Sequence, residues 1–141
     1  MISTRLAGEL REAGLRWDPI SGDAFQIAGG EFEGDVFTVS DMTIEPHHYE
    51  TGTVLGFNGT TEWALDSVAL EDALWLPRED QLRELLRGSF LALERRVDIT
   101  RVAIVEYRVT IELAGSRHDF RADDAAEAYG RALLALIRAA G

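Results

Sequence analysis

Cysteine and lysine are both missing from these 141 residues. Without a thiol the chain forms no disulfide, carries no thiolate nucleophile and builds no structural zinc site of the thiolate type. Without lysine it has no Walker-type phosphate loop, no Schiff-base amine and no Ser-Lys nucleophile. Long apolar runs are missing too: nothing approaches the roughly 18 consecutive apolar residues that mark a membrane-spanning helix. Met1-Ile2-Ser3-Thr4-Arg5 passes straight into an amphipathic segment and lacks the apolar centre of a signal peptide, so the expected location is cytoplasmic. Of the motifs that announce a mechanism, G-x-S-x-G, H-E-x-x-H, the nucleotide-binding glycine fingerprint and the calcium loop do not occur.

Positive charge is scarce in one half only. From Trp17 to Pro77, 61 residues hold twelve carboxylates and no arginine. Residues 1–76 carry 14 acids against 3 bases, whereas residues 77–141 carry 11 of each, so the formal net charge of −11 belongs to the N-terminal half. That balance disfavours direct nucleic-acid binding, which needs cationic side chains to displace counterions from phosphates. It favours a basic protein surface as partner, steered by the acidic field. A weaker alternative is a nucleic-acid mimic, with carboxylates standing in for phosphates. No cofactor is implied, no membrane partner is expected, and a homodimer is compatible with the composition. Hydrophobic content of 46%, with three Trp and six Phe, supports a packed globule.

Periodicity supplies the elements. Leu6, Leu10 and Ala13 form one apolar stripe, predicting a helix over 4–13 stopped by Gly14 in a Schellman motif with Leu15 at C″. Asp18-Pro19, Ser21-Gly22-Asp23 and Gly29-Gly30 read as breakers around a strand at 24–28. Residues 36–39 and 42–47 read as one bent strand or two. Residues 53–57 and 60–65 flank Asn58-Gly59, a hairpin signal that sets Val54 opposite Trp63. Strand and helix compete over 66–74.

Pro77 is expected at the first position of a helix closed by Gly88, with Leu82, Leu85 and Leu86 facing the core. Strands follow over 90–95 and 103–113. A Gly115-Ser116 turn would pair Leu113 with His118 and Ile111 with Phe120. Asp123 then caps a last helix over 124–139, with a stripe of Ala126, Tyr129, Leu133, Ile137 and Ala140 and a Glu127–Arg131 pair on its solvent side. Gly130 beside Tyr129 suggests close approach to the sheet. The order predicts an α+β fold, an antiparallel sheet with helices packed on one face, and α-β-β-β-α over the C-terminal half. Residues 1–76 and 77–141 form its two halves, read as one compact domain.

The stretches Trp75-Leu-Pro-Arg-Glu-Asp-Gln-Leu-Arg-Glu-Leu-Leu86 and Phe120-Arg-Ala-Asp-Asp-Ala-Ala-Glu-Ala-Tyr-Gly-Arg-Ala-Leu-Leu134 resemble short uncharacterised proteins of high-GC Gram-positive bacteria, some of them labelled pilus assembly. Residues 77–141 are also similar in element order and closing helix to the small phage-type ABA sandwich domain. The resemblance implies a fold for about half the chain and no catalytic residue. The pilus label would imply an ATPase-like domain, whose phosphate-loop lysine this chain lacks.

Candidate sites follow from the same residues. Asp41, Glu45, His47, His48 and Glu50 are the densest set of potential metal ligands. Strand alternation lets Asp41, Glu45 and His47 share a face and sends His48 to the other. A metal-assisted hydrolase on those three residues is the alternative to the main reading, a non-catalytic protein-binding or assembly module. For that module the candidate binding residues are Glu31, Glu33, Asp35 and Glu50 in loops, with Trp63 and Asp66 as a pocket pair. Glu112 and Asp119 are expected opposite each other among Arg108, Arg117 and Arg121, which keep both acids ionised as part of a charge lattice. His118 falls on the apolar face, at the edge of the core.

Overall fold

A computed structural model of the chain describes residues 1–28, 33–40, 44–49, 52–57, 67–100 and 104–141. They divide into two compact units, one made of Met1–Leu15 with Pro77–Gly141, the other of Arg16–Leu76. The first helix therefore belongs with the C-terminal residues, not with the acidic stretch that follows it in the chain.

The first unit begins with α1, Thr4–Glu12. Ser3 caps it, its Oγ accepting from the Leu6 N–H at 3.2 Å. At the other end the Leu15 N–H reaches the Leu10 carbonyl and the Gly14 N–H reaches that of Arg11, with Gly14 at φ +116°. This is the Schellman closure that Gly14 announces in the sequence.

Helix α2 spans Glu79–Leu86 and buries Leu82 and Leu86. Pro77 does not open it: Arg78 is the N-cap, and its N–H donates to Gln81 Oε1 at 2.9 Å. Gly88 does not close it either, since Arg87 takes the positive φ of 52°. Three strands follow as an antiparallel meander: β7, Phe90–Asp98; β8, Ile104–Leu113; and β9, Ser116–Ala122. Helix α3, Ala125–Ala140, packs on β8 and β9 and is flanked by α1 and α2. The order α2-β7-β8-β9-α3 is the α-β-β-β-α arrangement over 77–141, so this half is α+β with antiparallel strands.

The alternation along β8 comes out as read, with Val109 and Ile111 fully buried on the helix side. The hairpin that follows is displaced by one residue. Its two central residues are Ala114 and Gly115, both at positive φ (51° and 82°), which is what a type I′ turn needs. Leu113 therefore faces Ser116, Ile111 faces His118 and Val109 faces Phe120. A shift of one residue at the turn moves each partner by two along β9, so every side chain keeps its face.

Asp124, not Asp123, caps α3: Oδ1 accepts from the N–H groups of Ala126 at 2.8 Å and Glu127 at 3.4 Å. Glu127 turns to the Ser3 N–H and Arg131 to the Arg121 carbonyl, in place of the i,i+4 pair. Ile137 is only half-buried and Ala140 is exposed, so the core stripe of α3 stops at Leu134.

The second unit holds two antiparallel sheets. In one, β1 (Ala24–Ile27) lies between β2 (Val36–Thr38) and β6 (Ala73–Leu76). Phe25 faces Phe37 on one side and Trp75 on the other. Phe25, Ile27, Val39 and Ala73 form its core, with Trp17, Phe37 and Leu70 packed against it. In the other sheet, β4 (Gly52–Phe57) lies between β3 (Ile44–Tyr49) and β5 (Ser67–Ala69). Val54 has His47 on one side and Ala69 on the other, and Trp63, its expected partner, lies outside the described residues. Asn58-Gly59 and the expected strand over 60–65 lie outside the described residues. The stretch over which strand and helix compete resolves into β5, a 3-10 turn at Leu70–Asp72, and β6.

Candidate interaction surfaces

The boundary between the units is also a boundary of charge. Unit 16–76 contains twelve carboxylates and one base, Arg16; the remaining thirteen acids and thirteen arginines share the other unit. The whole net charge of −11 sits on one of the two. Glu33 and Asp35 are exposed beside the turn at Gly34, whose carbonyl accepts from Gln26 Nε2 at 3.3 Å. Asp18, Glu71 and Asp72 are exposed as well. Of the other candidate binding residues, Glu31, Glu50, Trp63 and Asp66 lie outside the described residues.

Asp41 lies outside them too. Glu45 and His47 stand two apart on β3, paired with Gly56 and Val54 on β4. Among the described residues no three His, Cys, Asp or Glu side chains come together as a metal site.

One carboxylate of the acidic unit is fully buried, and sequence reasoning missed it. Asp23 Oδ2 accepts from the indole N–H of Trp17 at 2.9 Å and from the Ile20 N–H at 3.1 Å. The Asp23 carbonyl also accepts from the Val39 N–H, carrying the β1–β2 pairing past the end of β2. Trp17 is thereby held over Phe25, ring centres 5.4 Å apart, and nearly parallel to Trp75 at 6.4 Å. Asp23 anchors a loop on the core. The only signal in the sequence was a breaker, Ser21-Gly22-Asp23, preceded by a Trp.

On the other unit, the sheet face away from the helices carries a charge lattice centred on Arg108. Its guanidinium meets Glu94 at 2.5 Å and Asp119 at 3.9 Å, and Thr110 Oγ1–H donates to Asp119 at 2.7 Å. The hydrogen bond and charge of Glu94 raise the Arg108 pKa most; burial opposes, and Asp119 and Glu106 add to the rise. The Glu112–Asp119 pair expected from the sequence does not form, because the Ala114-Gly115 turn sets Thr110 opposite Asp119 and Arg117 opposite Glu112. The lattice itself is present, with Arg108 as its hub. His118 is exposed, within 3.2 Å of Ser116 Oγ, although it stands opposite buried Ile111.

A groove of about 740 Å³ opens between α2 and the start of β7, walled by Glu79, Arg83 and Arg87 and floored by Phe90, Leu93 and Tyr129. The Arg83 guanidinium lies 4.8 Å above the Phe90 ring, a cation–π contact, and Phe90 tilts against Tyr129 at 5.7 Å. Burial raises the Tyr129 phenol above its ordinary pKa, against the lowering effect of Arg83. The sequence places these residues on separate elements and gives no signal of the groove.

Comparison with known protein families, curated proteins and solved structures returns no match. No helix among the described residues is long and apolar enough to cross a membrane.

Proposed function

We propose that this protein is a non-catalytic binding module whose acidic unit, residues 16–76, recruits a basic protein surface. One observation carries the reading: the charge boundary coincides with the structural boundary, leaving one unit neutral and the other at −11. Charge spread for solubility alone has no reason to stop where the packing stops. An acidic face raises the rate at which a cationic partner arrives and discourages acidic competitors. Glu33 and Asp35, both exposed, are the described residues that would meet the partner first, with Glu31 and Glu50 as the further sequence candidates.

Capture with the full chain tests this. The wild type should retain a protein of basic surface that salt elutes. A variant with Glu31, Glu33, Asp35 and Glu50 changed to Arg should not retain it. Equal retention by both would contradict the reading.

A further inference from the structure

We propose that two copies of this chain pair edge to edge through β7, in an antiparallel register centred on Arg95. The inference concerns the neutral unit and stands apart from the role of the acidic one.

Strand β7 is the edge of its sheet; its described ladder partner is β8 alone. It is nine residues long. A free edge exposes unpaired N–H and C=O groups and is a ready template for another strand. Leu93 and Val97 on this edge are 36% and 45% exposed, although they lie on the helix-facing side, opposite Val109 and Val105. Both side chains sit where a core is expected and are left partly exposed.

Symmetry limits how a second copy can add. A two-fold axis perpendicular to the sheet keeps both helix layers on the same side, so the register must be centred on a residue. Centring on Glu94 sets that acid against itself and Leu93 against Arg95. Centring on Arg96 sets Arg96 against itself and Glu94 against Asp98. Centring on Arg95 sets Glu94 against the second copy's Arg96 and Leu93 against its Val97, each twice. Opposite charges meet on the open face and apolar side chains meet on the helix face, where Val97 of the second copy arrives beside the groove that Leu93 helps to floor.

Charges on an edge ordinarily guard against pairing, as does the irregularity between Phe90 and Ala92. Here a like charge faces itself at the centre of all three registers, and only the third sets opposite charges against each other on the open face. The cost is Arg95 facing itself, which is repulsive. A contact this short buries less than the roughly 1,200–2,000 Å² of a standard interface, so the dimer is weak, with Kd in the micromolar to millimolar range, of order 10⁻⁶–10⁻³ M.

Sedimentation velocity on the full chain, from about 1 μM to about 1 mM, reads the dimer directly. Glu94→Arg and Arg96→Glu should each weaken it by about tenfold or more, because each replaces two attractive cross-strand pairs with two repulsive ones. The double variant restores the intermolecular pairs with reversed sign, although positions 94 and 96 then face like charges at Arg108 and Glu106 of their own chain, and it should dimerise more tightly than either single variant. Arg95→Thr should tighten it, and Val97→Lys should abolish it while leaving the melting temperature of this exposed position unchanged. A chain monomeric throughout the range overturns the proposal. So does a dimer that all the variants form equally, or a double variant as weak as the two singles.

Discussion

Leu6 on α1 fills the space that Gly130 leaves on α3. A Cβ placed at 130 would stand 2.7 Å from Leu6 Cδ2 and 3.1 Å from Ile2 Cδ1. The close approach is to a helix, not to the sheet, and it explains why α3 tolerates a mid-helix glycine that costs about 1 kcal/mol relative to alanine.

Gly130→Ala therefore sets a propensity gain of about 1 kcal/mol against an overpacking cost of about 1–3 kcal/mol. We expect net destabilisation in the wild type. In a Leu6→Ala background the 2.7 Å contact is gone and only the 3.1 Å approach to Ile2 Cδ1 remains, so the same change should cost less or stabilise. Urea unfolding of the four proteins reads the coupling; additive effects would mean that Leu6 and Gly130 do not meet.

Ala114 at φ 51° is the strained member of its turn. Ala114→Asn supplies the residue type that a type I′ turn favours and should raise stability by about 0.5–1 kcal/mol. Under a turn at Gly115-Ser116 the substitution would bring no gain.

Asp23→Ala leaves the Trp17 indole N–H and the Ile20 N–H without their shared acceptor. Both donors are part-buried, so a loss of about 1–3 kcal/mol in all is expected, with altered tryptophan fluorescence. A loss below about 1 kcal/mol would mean that the anchor is not structural.

Asp124 links stability to acid. Burial works to raise its carboxyl, but hydrogen bonds from the α-amino group of Met1 and the N–H groups of Ala126 and Glu127 outweigh it and hold the group below its ordinary value. A carboxyl lowered on folding stabilises the fold above its unfolded pKa, and that contribution fades as pH falls through the folded value. Asp124→Asn keeps a cap acceptor and removes the charge, so its stability should fall less steeply than the wild type's below about pH 4. Asp124→Ala removes the cap as well and should cost about 1 kcal/mol at pH 7. Parallel acid profiles for the wild type and Asp124→Asn would contradict the linkage.

The α+β class, the Schellman stop at Gly14 and the faces of β8 were legible in the sequence because each follows from local spacing. Boundaries set by backbone torsion were not. Arg87 rather than Gly88 takes the left-handed position, and Ala114-Gly115 rather than Gly115-Ser116 makes the turn. Contacts between distant elements were invisible: Asp23 with Trp17, Phe90 with Tyr129, and Leu6 with Gly130 carry no mark in periodicity. Of the candidate binding residues, Glu33 and Asp35 were chosen by charge and loop position, and both are exposed.

The central claim, that the acidic unit steers a basic partner, is read most directly by the association rate. Stopped-flow mixing of the full chain with the captured partner, at low and high salt, compares the wild type with the variant carrying Arg at positions 31, 33, 35 and 50. Screening acts over roughly 8 Å at physiological salt, so steering should show chiefly at low salt. The account predicts an on-rate about tenfold lower for the variant at low salt, converging with the wild type at high salt, with folding stability changed by less than about 0.5 kcal/mol. An unchanged on-rate at both salt concentrations would contradict it.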